Sequence, residues 1–141
     1  MNRCVFVSST FVDLKDHRLT VQKAIKQLGA VDISMENFGA RDERPKKECL
    51  RIIGEECDTF VGIYAHRYGF VPKGERKSIT ESEYDAAGHL PRFIYLVNED
   101  VPWAPKFIDQ GTSAKRPGRE LLLWEVWRRW KSVPDCVCGG F

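Results

Sequence analysis

The sequence contains no long apolar run: the first hydrophobic stretch, residues 4–7, breaks at Ser8, and no window approaches the ~20 apolar residues that span a bilayer. Neither export nor a membrane partner is expected. It also lacks a P-loop and a G-x-G-x-x-G turn, which argues against ATP hydrolysis and ordinary dinucleotide oxidoreductase chemistry. Histidine is scarce, and His17, His66 and His89 form no recognisable triad with a Ser or Cys nucleophile. Cys136-x-Cys138 has no histidine or second cysteine pair at metal-ligand spacing, so no metal site is expected. Five cysteines are an odd number without a disulfide framework. Cys4 and Cys57 adjoin apolar runs, where free thiols pack as small hydrophobes, and a reducing, cytoplasmic location follows. Charge of one sign is missing too: 22 Lys+Arg stand against 20 Asp+Glu. The basic residues in 41–51 and 115–131 alternate with acidic ones, so no nucleic-acid partner is expected.

What is present is an ordinary globular composition, 43% apolar and 30% charged over 141 residues. Compact domains commonly run to about 100–150 residues, so residues 1–141 read as one domain. Residues 4–7 read as a buried strand running into a helix cap at Ser8-Ser9-Thr10. Leu14, Val21, Ala24, Ile25 and Leu28 recur at helical spacing and Gly29 supplies the stop. A weaker repeat follows: a short strand at 31–35, then a helix with Pro45 first and Leu50, Ile53 and Cys57 on one face. Residues 59–65 are the clearest buried strand. A loop over 66–77, a helix from near Thr80 to Gly88 and a strand at 92–97 complete the pattern.

Strands alternating with helices in this way predict parallel βαβ units with right-handed crossovers, hence an open α/β sheet of four to five strands with helices on both faces. Residues 98–117 read as a surface loop, and 120–131 as an amphipathic helix carrying Trp124, Trp127 and Trp130. Residues 136–141 read either as a last edge strand or as the place where a larger protein continues. Three tryptophans three residues apart do not all fit one small core. They either pack on the sheet with partial exposure or form a docking surface for another domain or subunit.

In open parallel sheets, ligands bind outside the carboxyl ends of the strands. Those positions hold Ser8, Ser9 and Thr10 after the first strand, Glu36 after the second, and Tyr64, Arg67, Tyr68 and Gly69 after the third, with Ser78, Thr80 and Glu83 entering the next helix. Hydroxyls at a helix start suit a phosphate or carboxylate. They equally satisfy their own backbone, and Thr10 with Asp13 and Thr80 with Glu83 both have capping-box spacing. A carboxylate on a first helical turn is also placed to face a ribose, where it would stabilise or attack an oxocarbenium carbon. Arg67 and Arg18 are candidate phosphate partners or members of structural ion pairs. Tyr64 and Tyr68 either stack on a base or belong to the core.

The ordered blocks Val5-Phe-Val-Ser-Ser-Thr10, Asp13-Leu14 with Arg18, Met35-Glu36-x-Phe38, Asp58-x-Phe-Val-Gly62, Arg67-Tyr68-Gly69 and Ser78-Ile-Thr80-x-x-Glu83-Tyr84 with Ala87 resemble a family of small domains of unknown function. These commonly stand at the N-terminus of STAND-type signalling NTPases. That family is similar to TIR domains and nucleoside 2-deoxyribosyltransferases, which share a flavodoxin-like sheet. By this resemblance Glu83 would be the catalytic carboxylate of N-glycosidic cleavage, with NAD or a nucleoside as the substrate. Ser8, Ser9 and Thr10 would line a sugar or phosphate pocket beside Arg67 and Tyr68. No cofactor is implied. Many TIR domains act purely as interaction modules, so self-association or docking on a neighbouring NTPase domain is the alternative.

Overall fold

The computed structural model describes residues 3–34, 45–98, 100–108 and 136–140. Five strands, β1 (Cys4–Ser9), β2 (Val31–Ile33), β3 (Thr59–Tyr64), β4 (Arg92–Leu96) and β5 (Cys136–Gly140), alternate with helices α1 (Lys15–Gln27), α2 (Pro45–Glu55) and α3 (Ile79–Ala86). A 3-10 turn, Pro105–Phe107, follows β4. All pairings are parallel, in the order β2-β1-β3-β4-β5. This is the open α/β sheet expected from the alternation of elements, in the flavodoxin-like form that the family resemblance implies. The helix expected at 120–131, with its three tryptophans, lies outside the described residues.

Strand order fixes which face each helix covers. The β1-to-β2 crossover runs one way across the sheet, whereas β2-to-β3 and β3-to-β4 run the other. Right-handed connections therefore put α1 on one face and α2 with α3 on the opposite one. The pleat sorts the side chains accordingly. Phe6 of β1 and Phe60 of β3 stack at 6.0 Å, and Phe60 meets the edge of Tyr84 on α3 at 6.3 Å. Cys49, Ile52 and Ile53 of α2 close this layer. Burial of each such ring contributes roughly 1.5–3 kcal/mol relative to exposure. Arg92, at the start of β4, lies 4.6 Å from the Tyr84 ring centre and caps it.

On the other face, α1 departs from the apolar stripe expected of it. Its buried residues are Arg18, Gln22 and Ile25, whereas Ala24 and Leu28 are exposed. The polar pair anchors the helix by hydrogen bonds: Gln22 Nε2 donates to Ser34 Oγ at 3.0 Å, and Arg18 reaches the end of β1. Periodicity misses this because it scores Arg and Gln as solvent-facing. Beyond α1 the same face stays partly open. A groove of about 320 Å³ runs between His17, Thr20 and Val21 of α1 and Ile63 and Tyr95 of the sheet. Phe93 and Tyr95 are both more than a third exposed there.

Candidate functional site

The strand order reverses direction between β1 and β3, so their carboxyl ends flank the position where open α/β sheets bind ligands. Ser8 and Ser9 close β1 and, being consecutive, point to opposite faces. Ser8 is buried on the α3 face, where its hydroxyl donates to Glu83 Oε2 at 2.6 Å. Ser9 faces α1. Arg18 NH1 donates to Ser9 Oγ at 2.8 Å and to Ser9 O at 3.2 Å.

Glu83 is 2% exposed, and its Oε1 has no hydrogen-bond partner among the described residues. Burial pushes its carboxyl up to about 7, against the smaller opposing pull of the Ser8 hydrogen bond and the Arg18 charge. Cys49, fully buried on α2, feels the same carboxylate: burial first, then the charges of Glu83 and Glu48, push its thiol up to about 12. The carboxyl thus stands among α2, α3 and the end of β1, poised to gain or lose a proton near neutrality.

A second buried carboxylate lies at the same end. Thr10 Oγ1 donates to Asp13 Oδ1 at 2.6 Å, and Arg67 NH1 stands 3.7 Å from that oxygen. Asp13 Oδ2 is buried without a hydrogen bond among the described residues. Thr10 is therefore not the cap of α1, which starts at Lys15 with Leu14 at the cap and no side-chain capping bond. The Ser8 and Thr10 hydroxyl protons go to protein carboxylates. Arg67 is about a third exposed. Asp13, part of the resemblance above, was not singled out as a site residue by sequence; its place in the Thr10-x-x-Asp13 spacing is the signal that marks it.

The loop after β3 folds back over these groups. Gly69 takes φ +95°, and a Cβ there would lie 3.2 Å from Thr80 Oγ1 and 3.3 Å from Thr10 Cγ2. Only glycine brings the loop that close in that conformation. Tyr68 is buried, and its hydroxyl donates to Glu81 and accepts from the Ser78 N–H at 3.2 Å. Burial, aided by the neighbouring Glu81, pushes the phenol up to about 12. Salt bridges from Lys46 to Glu75 and from Lys77 to Asp85 tie the rest of the loop to α2 and α3.

Two expectations change at α3. The helix is capped by Ser78, whose hydroxyl accepts from the Glu81 N–H at 3.1 Å, and not by Thr80. Glu83 accordingly does not reach back to a cap. Ser78-x-x-Glu81 has the same spacing as Thr80-x-x-Glu83, and sequence alone gives no reason to prefer one. Tyr64 and Tyr68 are both buried, so neither offers a ring face to a base. Tyr64 packs over Gly62, where any Cβ would meet the ring at 2.6 Å. Among the described residues, the exposed rings at this end are Phe11 and Phe70, neighbours of Thr10 and Gly69. Their flanking of SST and RYG was the available signal. Glu36 lies outside the described residues.

The sequence profile of the family described as Domain of unknown function (DUF4062) matches residues 4–121. The chain belongs to this family. The match takes in β1 to β4 and with them every site residue named above, so the DUF4062 region and the switch-point site coincide. No curated protein matches the chain. Among the described residues, no helix is long and apolar enough to cross a membrane and no cluster of His, Cys, Asp or Glu is arranged to hold a metal ion.

Proposed function

We propose that this DUF4062 chain is a nucleotide-binding, TIR-like signalling or defence domain that cleaves the N-glycosidic bond of NAD or a nucleoside. One observation carries the reading: Glu83 is buried at the switch point with one oxygen held by Ser8 and the other without a hydrogen bond among the described residues. A carboxylate held this way suits a carbon that becomes positively charged. As the C1′–N bond breaks, the base departs with the electron pair, and Glu83 stabilises or attacks the oxocarbenium carbon until water replaces the base. Arg67, partly exposed above Asp13, takes a phosphate. Phe11 and Phe70 take the base in place of the buried tyrosines. Substrate enters by the 66–78 loop lifting from Thr10 and Thr80. The likeness to deoxyribosyltransferases and TIR domains, the cytoplasmic setting and a place beside a STAND-type NTPase belong to the same reading.

The test is product analysis by chromatography after incubating the chain, wild type and Glu83→Gln, with NAD and a panel of nucleosides. Melting temperature serves as the control for folding. Base release by wild type and none by a folded variant is the expected result. Silence from wild type at high protein concentration overturns the enzymatic reading.

A second reading, a non-catalytic self-association module, is favoured by the groove beside α1, which Tyr95 lines, and by the exposed Phe93 two residues before it on β4. In that case a second copy covers the face. Tyr95→Asp would then lower the mass measured by light scattering, and a wild-type monomer at high concentration would exclude it.

A further inference from the structure

At the opposite, amino-terminal end of the sheet, two thiols touch. Cys4 opens β1, Cys57 lies in the turn before β3, and their Sγ atoms are 3.3 Å apart. The backbone clamps them together. The Cys4 N–H donates to Asp58 Oδ2 at 2.8 Å, the Asp58 N–H donates to Cys4 O at 2.9 Å, and the Cys57 N–H donates to Ile52 O at 3.1 Å. A disulfide needs its sulfurs about 2.05 Å apart. The pair must therefore close by roughly 1.3 Å. Cys4 is partly exposed and Cys57 is buried, so an oxidant meets Cys4 first.

We propose that Cys4 and Cys57 are a modification site: a reversible disulfide formed when the chain meets a hydroperoxide. The Cys4 thiolate attacks the peroxide, taking one oxygen to become a sulfenic acid while the O–O bond breaks and hydroxide or alkoxide leaves. The Cys57 sulfur then attacks the sulfenyl sulfur, the S–S bond forms, and the sulfenic oxygen departs as water with the Cys57 proton. Two thiols are oxidised by two electrons and one peroxide is reduced. Burial, with the carboxylates of Asp58 and Glu56 near both, pushes both thiols above their ordinary range. The first step is consequently slow at neutral pH and quickens as pH rises.

The test treats the reduced, desalted full chain with hydrogen peroxide at pH 8 and maps a non-reducing digest by mass spectrometry. One peptide pair joined through positions 4 and 57, lighter by two hydrogens and separated again by dithiothreitol, is the expected result. Cys57→Ser should instead leave a Cys4 sulfenic acid that dimedone traps, and Cys4→Ser should leave Cys57 reduced. The linked wild type should melt higher than the reduced form, because the link closes a loop between residues 53 positions apart. Over-oxidation of Cys4 without a link, linkage to another cysteine in its place, or a lower melting temperature on linkage would each overturn the proposal.

Discussion

The Tyr68 hydroxyl sits inside the cap of α3, donating to Glu81 and accepting from the Ser78 N–H. In a capping box the carboxylate three residues into the helix takes the cap N–H itself. Here a phenol from the preceding loop stands between the two. The loop and the helix start thus share one hydrogen-bond system, and loosening either exposes the other.

Tyr68→Phe removes that oxygen and leaves two buried partners short of a bond. A loss of about 1–3 kcal/mol is expected in denaturant unfolding. Amide hydrogen exchange at Ser78 should quicken more than exchange in β1, and uniform protection across both would contradict this account.

Glu83 gives stability an unusual pH dependence. Its folded pKa, about 7, lies above the ordinary 4.5, so the native state holds the proton more tightly than the unfolded chain. The contribution is full below about pH 4.5, declines as pH rises and is gone above about 7, a span on the order of 3 kcal/mol. Glu83→Gln should flatten this part of the melting profile between pH 5 and 8. An unaltered profile in the variant would show that another group carries the slope.

Ser8→Ala acts on the same carboxyl from outside it. The Ser8 hydrogen bond favours the charged form, so its loss should drive the Glu83 pKa further up. Carboxyl carbon NMR titration reads this directly. If base release needs ionised Glu83, the rising limb of its pH profile should move to higher pH by the same amount.

Gly69→Ala should destabilise the chain by roughly 1 kcal/mol or more, from its positive φ and its contacts with Thr10 and Thr80. Phe70→Ala, at an exposed ring next to it, should change unfolding energy by no more than about 0.5 kcal/mol while weakening nucleoside binding. Thermal melts and titration calorimetry on the two variants separate packing from recognition.

Strand and helix alternation made the sheet legible, because buried parallel strands such as residues 59–64 are apolar almost throughout. The carboxyl-end rule likewise pointed to Ser8, Gly69 and Glu83. Less legible were the choices between equivalent patterns. Two capping spacings overlap at 78–83, and only the path of the loop decides that Ser78 caps while Glu83 turns to Ser8. Arg18 and Gln22 escaped notice as buried groups because their acceptors, Ser9 at the end of β1 and Ser34 just after β2, are brought near only by the fold. Tyr64 and Tyr68 were open to two uses, and burial decides both.

Ser8 and Ser9 give β1 a mechanical role. One residue grips α3 through Glu83 and the next grips α1 through Arg18, so the two helical layers are fastened to adjacent links of a single strand. A load applied to either layer is borne by the other across one peptide unit. Displacing Glu83 from Ser8 therefore acts one peptide unit away from the residue that seats Arg18 on the far side of the sheet.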